Sequence, residues 1–243
     1  MAEALYHDPA LAALYDDLNG WDADFAWVDA QVRPGDRVLD LGCGTGELAA
    51  HLAARADVTG VDQAEAMLAA ARARPGGDGV LWVAADARTL DLDRRFDWIV
   101  LTGHAFQCFL TDADQDAVCA AIARHLARGG RFAFDSRNPE DRAWERWAEA
   151  VHTRPFRTAS GDASVATASA WDGATEIVSY RQTYRTADGT RTSTARIRFA
   201  PRTRIAAALA GAGLTVHTWL GDWSGAPLTS GSPDIIPVGG LTR

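Results

Sequence analysis

Three aspartates, Asp40, Asp62 and Asp86, close three successive apolar runs, and Gly42, Gly44 and Gly46 follow the first of them in "RVLDLGCGTGELAAHL", residues 37–52. Bare backbone at alternate positions allows tight turning and lets a ligand lie against the chain. An ionised carboxylate accepts hydrogen bonds from two hydroxyls at once, as a sugar diol presents them. After a fourth apolar run comes "LTGHAFQCF", where His104 is the side-chain type that exchanges a proton near neutral pH. After a fifth comes "DSRNP", where Asp135 offers a carboxylate to an ammonium or a proton and Arg137 a fork for a carboxylate. Each of these residues also has a structural use, as a turn cap, a core filler or an ion pair. Their gathering at the ends of consecutive runs favours chemistry.

The elements that would position them alternate. Strands are expected at 37–42, 57–62, 79–86, 96–103 and 131–137, and helices at about 46–55, 63–74 and 112–128. Short apolar strands separated by helices indicate a parallel sheet covered on both faces. Ahead of them, residues 2–31 read as two short amphipathic helices broken near Asn19-Gly20. A helix is expected over 140–150, and 151–200 reads as antiparallel β. There "EIVSYRQTYR" and "TRTSTARIRF" face each other across "TADG". Pro201 then opens a helix running to Gly211 or Gly213. "LTVHTWLGD" and "DIIPVGGL" close the chain as two strands. The expected divisions are 1–36, 37–138, 139–200 and 201–243: N-terminal helices, an α/β core, an inserted cap, and closing elements of the core.

Three ligands compete for the glycine loop. A nucleotide triphosphate loop ends in Gly-Lys, and this chain has no lysine: all 24 basic residues are arginine. A dinucleotide loop reads Gly-x-Gly-x-x-Gly, and here the third glycine comes one residue early, with Glu47 in its place. The spacing Asp40-x-Gly42-x-Gly44-x-Gly46 instead resembles the first motif of the class I S-adenosylmethionine-dependent methyltransferases.

The resemblance covers residues 37–137 well and the closing elements more loosely. It implies an α/β, Rossmann-like, doubly wound and mostly parallel seven-stranded sheet carrying an inserted antiparallel β cap. Its cofactor is S-adenosyl-L-methionine. The loop Gly42, Cys43, Gly44 and Gly46 would take the methionine part, with Asp40 at its amino group. Asp62, with Gln63 and Met67 beside it, would read the ribose, while Asp86 and Ala87 would read the adenine. Thr102 and Gly103 would floor the pocket, and Tyr15 would close over it from the N-terminal helices. His104 and Asp135 are the catalytic candidates, and Phe106, Arg137 and Asn138 the substrate-binding ones.

Composition narrows the partners. A net charge of −8 disfavours a phosphate backbone as a ligand, so no nucleic acid is expected. No apolar run is long enough to span a membrane. Without lysine there is neither a Schiff-base lysine nor a lysine nucleophile. Three cysteines, Cys43, Cys108 and Cys119, form no metal-type pair; no metal is expected, and the chain reads as reduced and cytoplasmic. A homodimer is left open. The leading reading is methylation of a small molecule by in-line displacement, with nitrogen preferred as acceptor. The cap of about sixty residues argues against a polymer substrate. Methylation of a hydroxyl or carboxylate with His104 as base is the second reading. A cofactor-binding protein, or a non-methylating enzyme on the same fold, completes the set.

Overall fold

A computed structural model describes residues 6, 8–148, 152–158 and 160–242 of the chain. Its first half begins with three short helices, α1 (Pro9–Ala12), α2 (Tyr15–Leu18) and α3 (Ala23–Gln31), where two were expected. Asp8 caps α1 by accepting from the Ala10 amide, and Asp22 caps α3. The expected start at residue 2 lies outside the described residues.

The α/β unit then runs β1 (Arg37–Leu41), α4 (Glu47–Leu52), β2 (Asp57–Asp62), α5 (Glu65–Ala73), β3 (Val80–Ala84), β4 (Phe96–Leu101), α6 (Asp112–His125) and β5 (Leu126–Phe134). After a two-residue strand β6 (Ser136–Arg137) comes α7 (Ala143–Ala148). The chain closes with α8 (Arg202–Gly211), β11 (Leu214–Leu220) and β12 (Asp234–Leu241). The main sheet has the order β11-β12-β5-β4-β1-β2-β3, with β6 paired to β12. Strands β1 to β5 are mutually parallel and β12 runs against β5.

Period-2 alternation sorts the central strands onto two cores. Leu39, Leu41, Ile99 and Leu101 face one side, packing with Val118, Ile122, Ile205 and Leu209 of α6 and α8. Val38 and Val100 face the other, packing with Val28 of α3 and with Leu48 and Leu52 of α4. With both faces covered, the strands are mostly apolar, as in "RVLDL" and "FDWIVL", where Asp40 and Asp97 interrupt the apolar runs.

Several boundaries fall short of the sequence reading, and the shortfalls matter. Strand β3 ends at Ala84 and β4 at Leu101, so Asp86 and His104 lie in turns beyond them. Helix α6 stops at His125, three residues early, because the backbone turns extended at Leu126 and enters β5 there. The buried His125 ring contacts the Ala121 carbonyl (2.7 Å) and accepts from the Leu92 amide (2.8 Å). The helix expected over 140–150 begins later, after a 3-10 turn at Pro139–Asp141 and a left-handed Arg142. Its last two expected residues lie outside the described residues.

Strands β7 (His152–Thr158), β8 (Gly161–Asp172), β9 (Ile177–Thr186) and β10 (Gly189–Arg198) form a separate antiparallel sheet in the order β10-β9-β8-β7. It is seated by aromatic packing. Trp144 of α7 stacks on Trp171 of β8 (centroids 4.0 Å apart, planes 9° from parallel) and meets Phe199 edge-on at 5.0 Å.

Candidate functional site

Strand β1 hands the chain to a loop that glycine alone makes comfortable. Gly42, Gly44 and Gly46 hold φ of 83°, 54° and 74°, the left-handed region that costs other residues energy. A side chain at Gly46 would collide with the Trp82 ring, 2.3 Å from the position a Cβ would take, whereas at Gly44 nothing lies within 4 Å. Thus one glycine is required by packing, and the other leaves open space.

Strand β2 braces this loop from beside it. The Val61 carbonyl accepts from the Gly42 amide (2.7 Å) and the Cys43 amide (3.0 Å). The Asp62 carboxylate accepts from the Gly44 amide (3.0 Å) with one oxygen and from the Ala64 amide (2.8 Å) with the other. Helix α2 is tied to the same loop: the Thr45 hydroxyl donates to Asp16, which also pairs with Arg74.

The end of β4 makes a second cradle. Gly103 and His104 both turn left-handed, at φ 63° and 62°. The Gly103 amide donates to Asp24 of α3 (3.0 Å), and the His104 amide to Asp135 at the end of β5 (2.8 Å). The other Asp135 oxygen accepts from the Trp223 indole N–H (3.1 Å), which fixes a carboxylate only 1% exposed. The imidazole Nε2 of His104 lies 3.0 Å from Asp234 Oδ1 and 3.7 Å from Asp135 Oδ2.

Between these cradles and the cap sheet lies a cavity of about 1320 Å³. That exceeds the range of roughly 300–1,000 Å³ typical of one small-molecule site and leaves room for two ligands side by side. Tyr15, Gly42, Gly44, Asp62, Gln63 and Met67 line it at one end. Asp86, Ala87, Thr102, Gly103, His104 and Arg137 continue the wall, and Tyr180, Gln182 and Tyr184 of β9 roof it.

Six predicted residues do not reach this wall. Gly46 is packed under Trp82. Cys43 points toward the sheet, its sulfur 3.2 Å from where a Cβ of Gly60 would stand, and burial pushes its thiol well up. Phe106 is a core residue, stacked on Phe134 at 4.3 Å and fully buried. Asn138 is occupied in holding the 229–232 loop through three carbonyls, including Ser232 O at 2.9 Å, while capping the 3-10 turn at Glu140. Asp135 sits behind His104. Asp40 lies beneath the loop, 2% exposed, with one oxygen lacking any hydrogen-bond partner.

Electrostatics follow from this crowding of acids. Burial, with Asp62 and Asp24 nearby, pushes the Asp40 carboxyl up to about 7. Burial and Asp135 push Asp24 up as well, against the amides of Phe25 and Gly103, and burial raises the Tyr15 phenol. Asp86 differs: Arg88 grips both its oxygens (3.0 and 3.1 Å from Nε) and holds it below the usual carboxylate range, while Asp114 holds Arg88 in turn at 2.7 Å. Arg137 is the opposite case. Its Nη1 donates to Gln107 (2.8 Å) and its guanidinium lies over the Trp147 ring at 5.0 Å. No carboxylate among the described residues lies within 4.0 Å of it, and burial presses its pKa down.

Sequence reasoning missed Asp24, Gln107, Trp223 and Asp234. All four act on a residue that was found, and they do so from 30 to 130 positions away.

Residues 38–130 match a family model described as a methyltransferase domain. The α/β unit is a class I S-adenosylmethionine-dependent methyltransferase domain. Along the sequence, the chain is 31% identical over 130 residues to the "Putative methyltransferase YqeM" of Bacillus subtilis (strain 168), a match covering 51% of this chain and 53% of that protein. The chain spans about half the length, or less, of the curated relatives it matches. Similarity in structure extends further. The CcbJ methyltransferase from Streptomyces caelestis superposes with a TM-score of 0.80 at 24% identity over 98% of both chains, a likeness of fold. CalS10 of Micromonospora echinaspora, an amino pentose methyltransferase solved with S-adenosylmethionine bound, gives 0.73 at 28% identity over the whole of both chains. No described helix is long and apolar enough to cross a membrane.

Proposed function

We propose that the chain methylates a small molecule that carries an amine, with S-adenosyl-L-methionine as methyl donor. The observation that carries this reading is His104. Its ring lines the cavity beside the end of β4, with one nitrogen against Asp234 and the other without a partner among the described residues.

The residues present fit the cofactor. The unpartnered Asp40 oxygen and the acids around it favour a positively charged group at the loop, and Gly44 leaves bare backbone against the cavity. On this reading Gly42 and Gly44 would hold the amino-acid portion. Asp62, Gln63 and Met67 would hold the ribose side, and Asp86, Ala87, Thr102 and Gly103 the base and pocket floor. Tyr15 would cover them from α2. When bound, the cofactor supplies a methyl carbon on a positively charged sulfur. The chain's own residues align the acceptor, exclude water and take its proton.

An amine arrives at neutral pH mostly as an ammonium and must lose a proton before its lone pair is available. Asp135 and Asp234 make the surroundings of His104 favourable to such a cation, and the imidazole accepts the proton. Arg137, whose guanidinium lines the same cavity and has no carboxylate within 4.0 Å among the described residues, would hold an anionic group of the acceptor. The cap roof, with Tyr180 and Tyr184, favours a compact substrate over a polymer. The name of the 28%-identical relative, an amino pentose methyltransferase, agrees with an amine acceptor.

A second reading, methylation of a hydroxyl, uses the same His104 as base. The test is incubation with methyl-labelled S-adenosylmethionine and a panel of amines, amino acids, amino sugars and phenols, with products identified by mass spectrometry. Label in the amines supports the proposal, and label in the phenols alone replaces it with the second reading. His104→Asn, which tolerates the left-handed backbone, should lower kcat about a hundredfold without altering affinity for S-adenosylhomocysteine. An unchanged kcat would remove His104 from the reaction.

A further inference from the structure

Two carboxylates surround one nitrogen of His104, and they do different work. Asp135 is fully engaged elsewhere: one oxygen receives the His104 backbone amide at 2.8 Å and the other the Trp223 indole N–H at 3.1 Å. It lies 3.7 Å from Nε2, beyond hydrogen-bonding reach. Asp234 Oδ1 lies at 3.0 Å from that nitrogen. A carboxylate only accepts, so a neutral imidazole beside it must carry its hydrogen on Nε2. The other nitrogen, Nδ1, is then the lone-pair site. Among the described residues it has no hydrogen-bond partner, on a ring that lines the cavity.

Asp234 is itself held in place. It opens β12, where its register partner is Arg137 on β6, and its backbone amide donates to the Gly221 carbonyl at 3.0 Å. Its side chain is 15% exposed. The same pairing thus sets the cation at the cap junction and the carboxylate behind the base side by side.

We propose that Asp234 is a positioning residue for methyl transfer. By holding Nε2–H it fixes the tautomer and orientation of His104, so that Nδ1 receives the acceptor's proton. Asp135 is then no proton acceptor, and it maintains the left-handed turn that brings His104 to the cavity. The proton leaves the acceptor nitrogen for Nδ1, Nε2 keeps its own, and the resulting imidazolium is stabilised by Asp234. The inference rests on the proposed amine methylation, but the tautomer can be read without turnover.

The experiment is nitrogen-15 NMR of the whole protein labelled at histidine, with the His104 signals assigned by their loss in His104→Asn. In the neutral ring the wild type should show a protonated Nε2 and a bare Nδ1, and Asp234→Ala should redistribute the hydrogen between the two. With an accepted amine, Asp234→Ala should lose roughly ten- to a hundredfold in kcat, a share of the general-base contribution. The KM for S-adenosylmethionine should stay within twofold. Asp234→Asn, whose amide oxygen can still accept from Nε2–H in the same volume, should restore the tautomer and part of the rate. A wild-type ring protonated on Nδ1 overturns the inference, and so does an Asp234→Ala enzyme with unchanged kcat. If no amine on the panel is methylated while the tautomer is as expected, the functional reading fails and the Asp234–His104 pair stands.

Discussion

Gly44 and Gly46 are two residues apart, share a left-handed backbone, and should fail in different ways when each becomes alanine. Both variants place a Cβ at positive φ, which costs about 1–2 kcal/mol and is offset by about 0.4–1 kcal/mol from a stiffer unfolded chain. At Gly44 nothing else is added, because no atom lies within 4 Å of the new methyl. Gly44→Ala should therefore melt within a few degrees of the wild type. At Gly46 the methyl meets Trp82 at 2.3 Å and the Ala71 Cβ at 2.8 Å. Trp82 is pinned by its indole N–H on the Gly77 carbonyl at 2.8 Å, so it cannot simply swing away. Overpacking of this kind adds roughly 1–3 kcal/mol. The total of about 1–5 kcal/mol corresponds to a melting point lower by roughly 2–20 °C for a chain of this size.

Ligand binding should invert the order of harm. Gly44 lines the cavity and Gly46 does not. A methyl at Gly44 fills space the cofactor's amino-acid portion is proposed to occupy, so affinity for S-adenosylhomocysteine should fall at least tenfold, or about 1.4 kcal/mol. Gly46→Ala, measured well below its melting point, should lose less. Differential scanning fluorimetry gives the melting points, and isothermal titration calorimetry gives the affinities. A Gly44→Ala protein that binds S-adenosylhomocysteine as tightly as the wild type would refute the assignment of this loop to the cofactor.

Three further outcomes follow from the same acids and from the Arg137 guanidinium. The folded state keeps Asp40 protonated over a range where the unfolded chain has released that proton. Stability is therefore greatest at the acid end and is lost as pH rises from about 4 to about 7, by up to roughly 4 kcal/mol. Asp40→Asn should flatten that part of the stability profile in urea titrations, and an unchanged slope would remove Asp40 as its source. Asp62→Ala releases both the Gly44 and Ala64 amides, costing about 1–3 kcal/mol. It should largely abolish the rise in melting point that S-adenosylhomocysteine confers on the wild type. Arg137→Gln should raise the KM of a carboxylate-bearing amine about ten- to a hundredfold, the worth of a lost charge-assisted pair. Its affinity for S-adenosylhomocysteine should stay unchanged, and a loss there would assign Arg137 to the cofactor instead.

What could be read from the sequence was whatever is local. The glycine loop, the acids at or just past the ends of β1, β2 and β3, and the turn after β4 are each written in a few consecutive residues, and the strands announce themselves as mostly apolar runs. Phe106 and Asn138 were misjudged for a related reason. Each lies beside a residue that lines the cavity, and adjacency in a turn does not fix which way a side chain points. Phe106 turned to Phe134 because a buried aromatic face outweighs an edge shared with solvent. Asn138 turned to the 229–232 loop, where its side-chain amide donates to three carbonyls.

The partners of His104 show why the remainder stayed hidden. Asp135 was visible as a carboxylate at a strand end, yet its contact with His104 runs through the backbone amide and depends on the left-handed turn at residue 104. No sequence pattern specifies that turn in a histidine. Asp234 is 130 positions away, and it reaches Nε2 only because β12 inserts antiparallel beside β5 and pairs with β6. Read along the chain, "DIIPVGGL" is an ordinary closing strand whose first residue is a polar cap. The sheet order turns that cap into the group nearest the imidazole. A base and the carboxylate that orients it therefore belong to different levels of the same fold: the base is set by a local turn, and its orientation by topology.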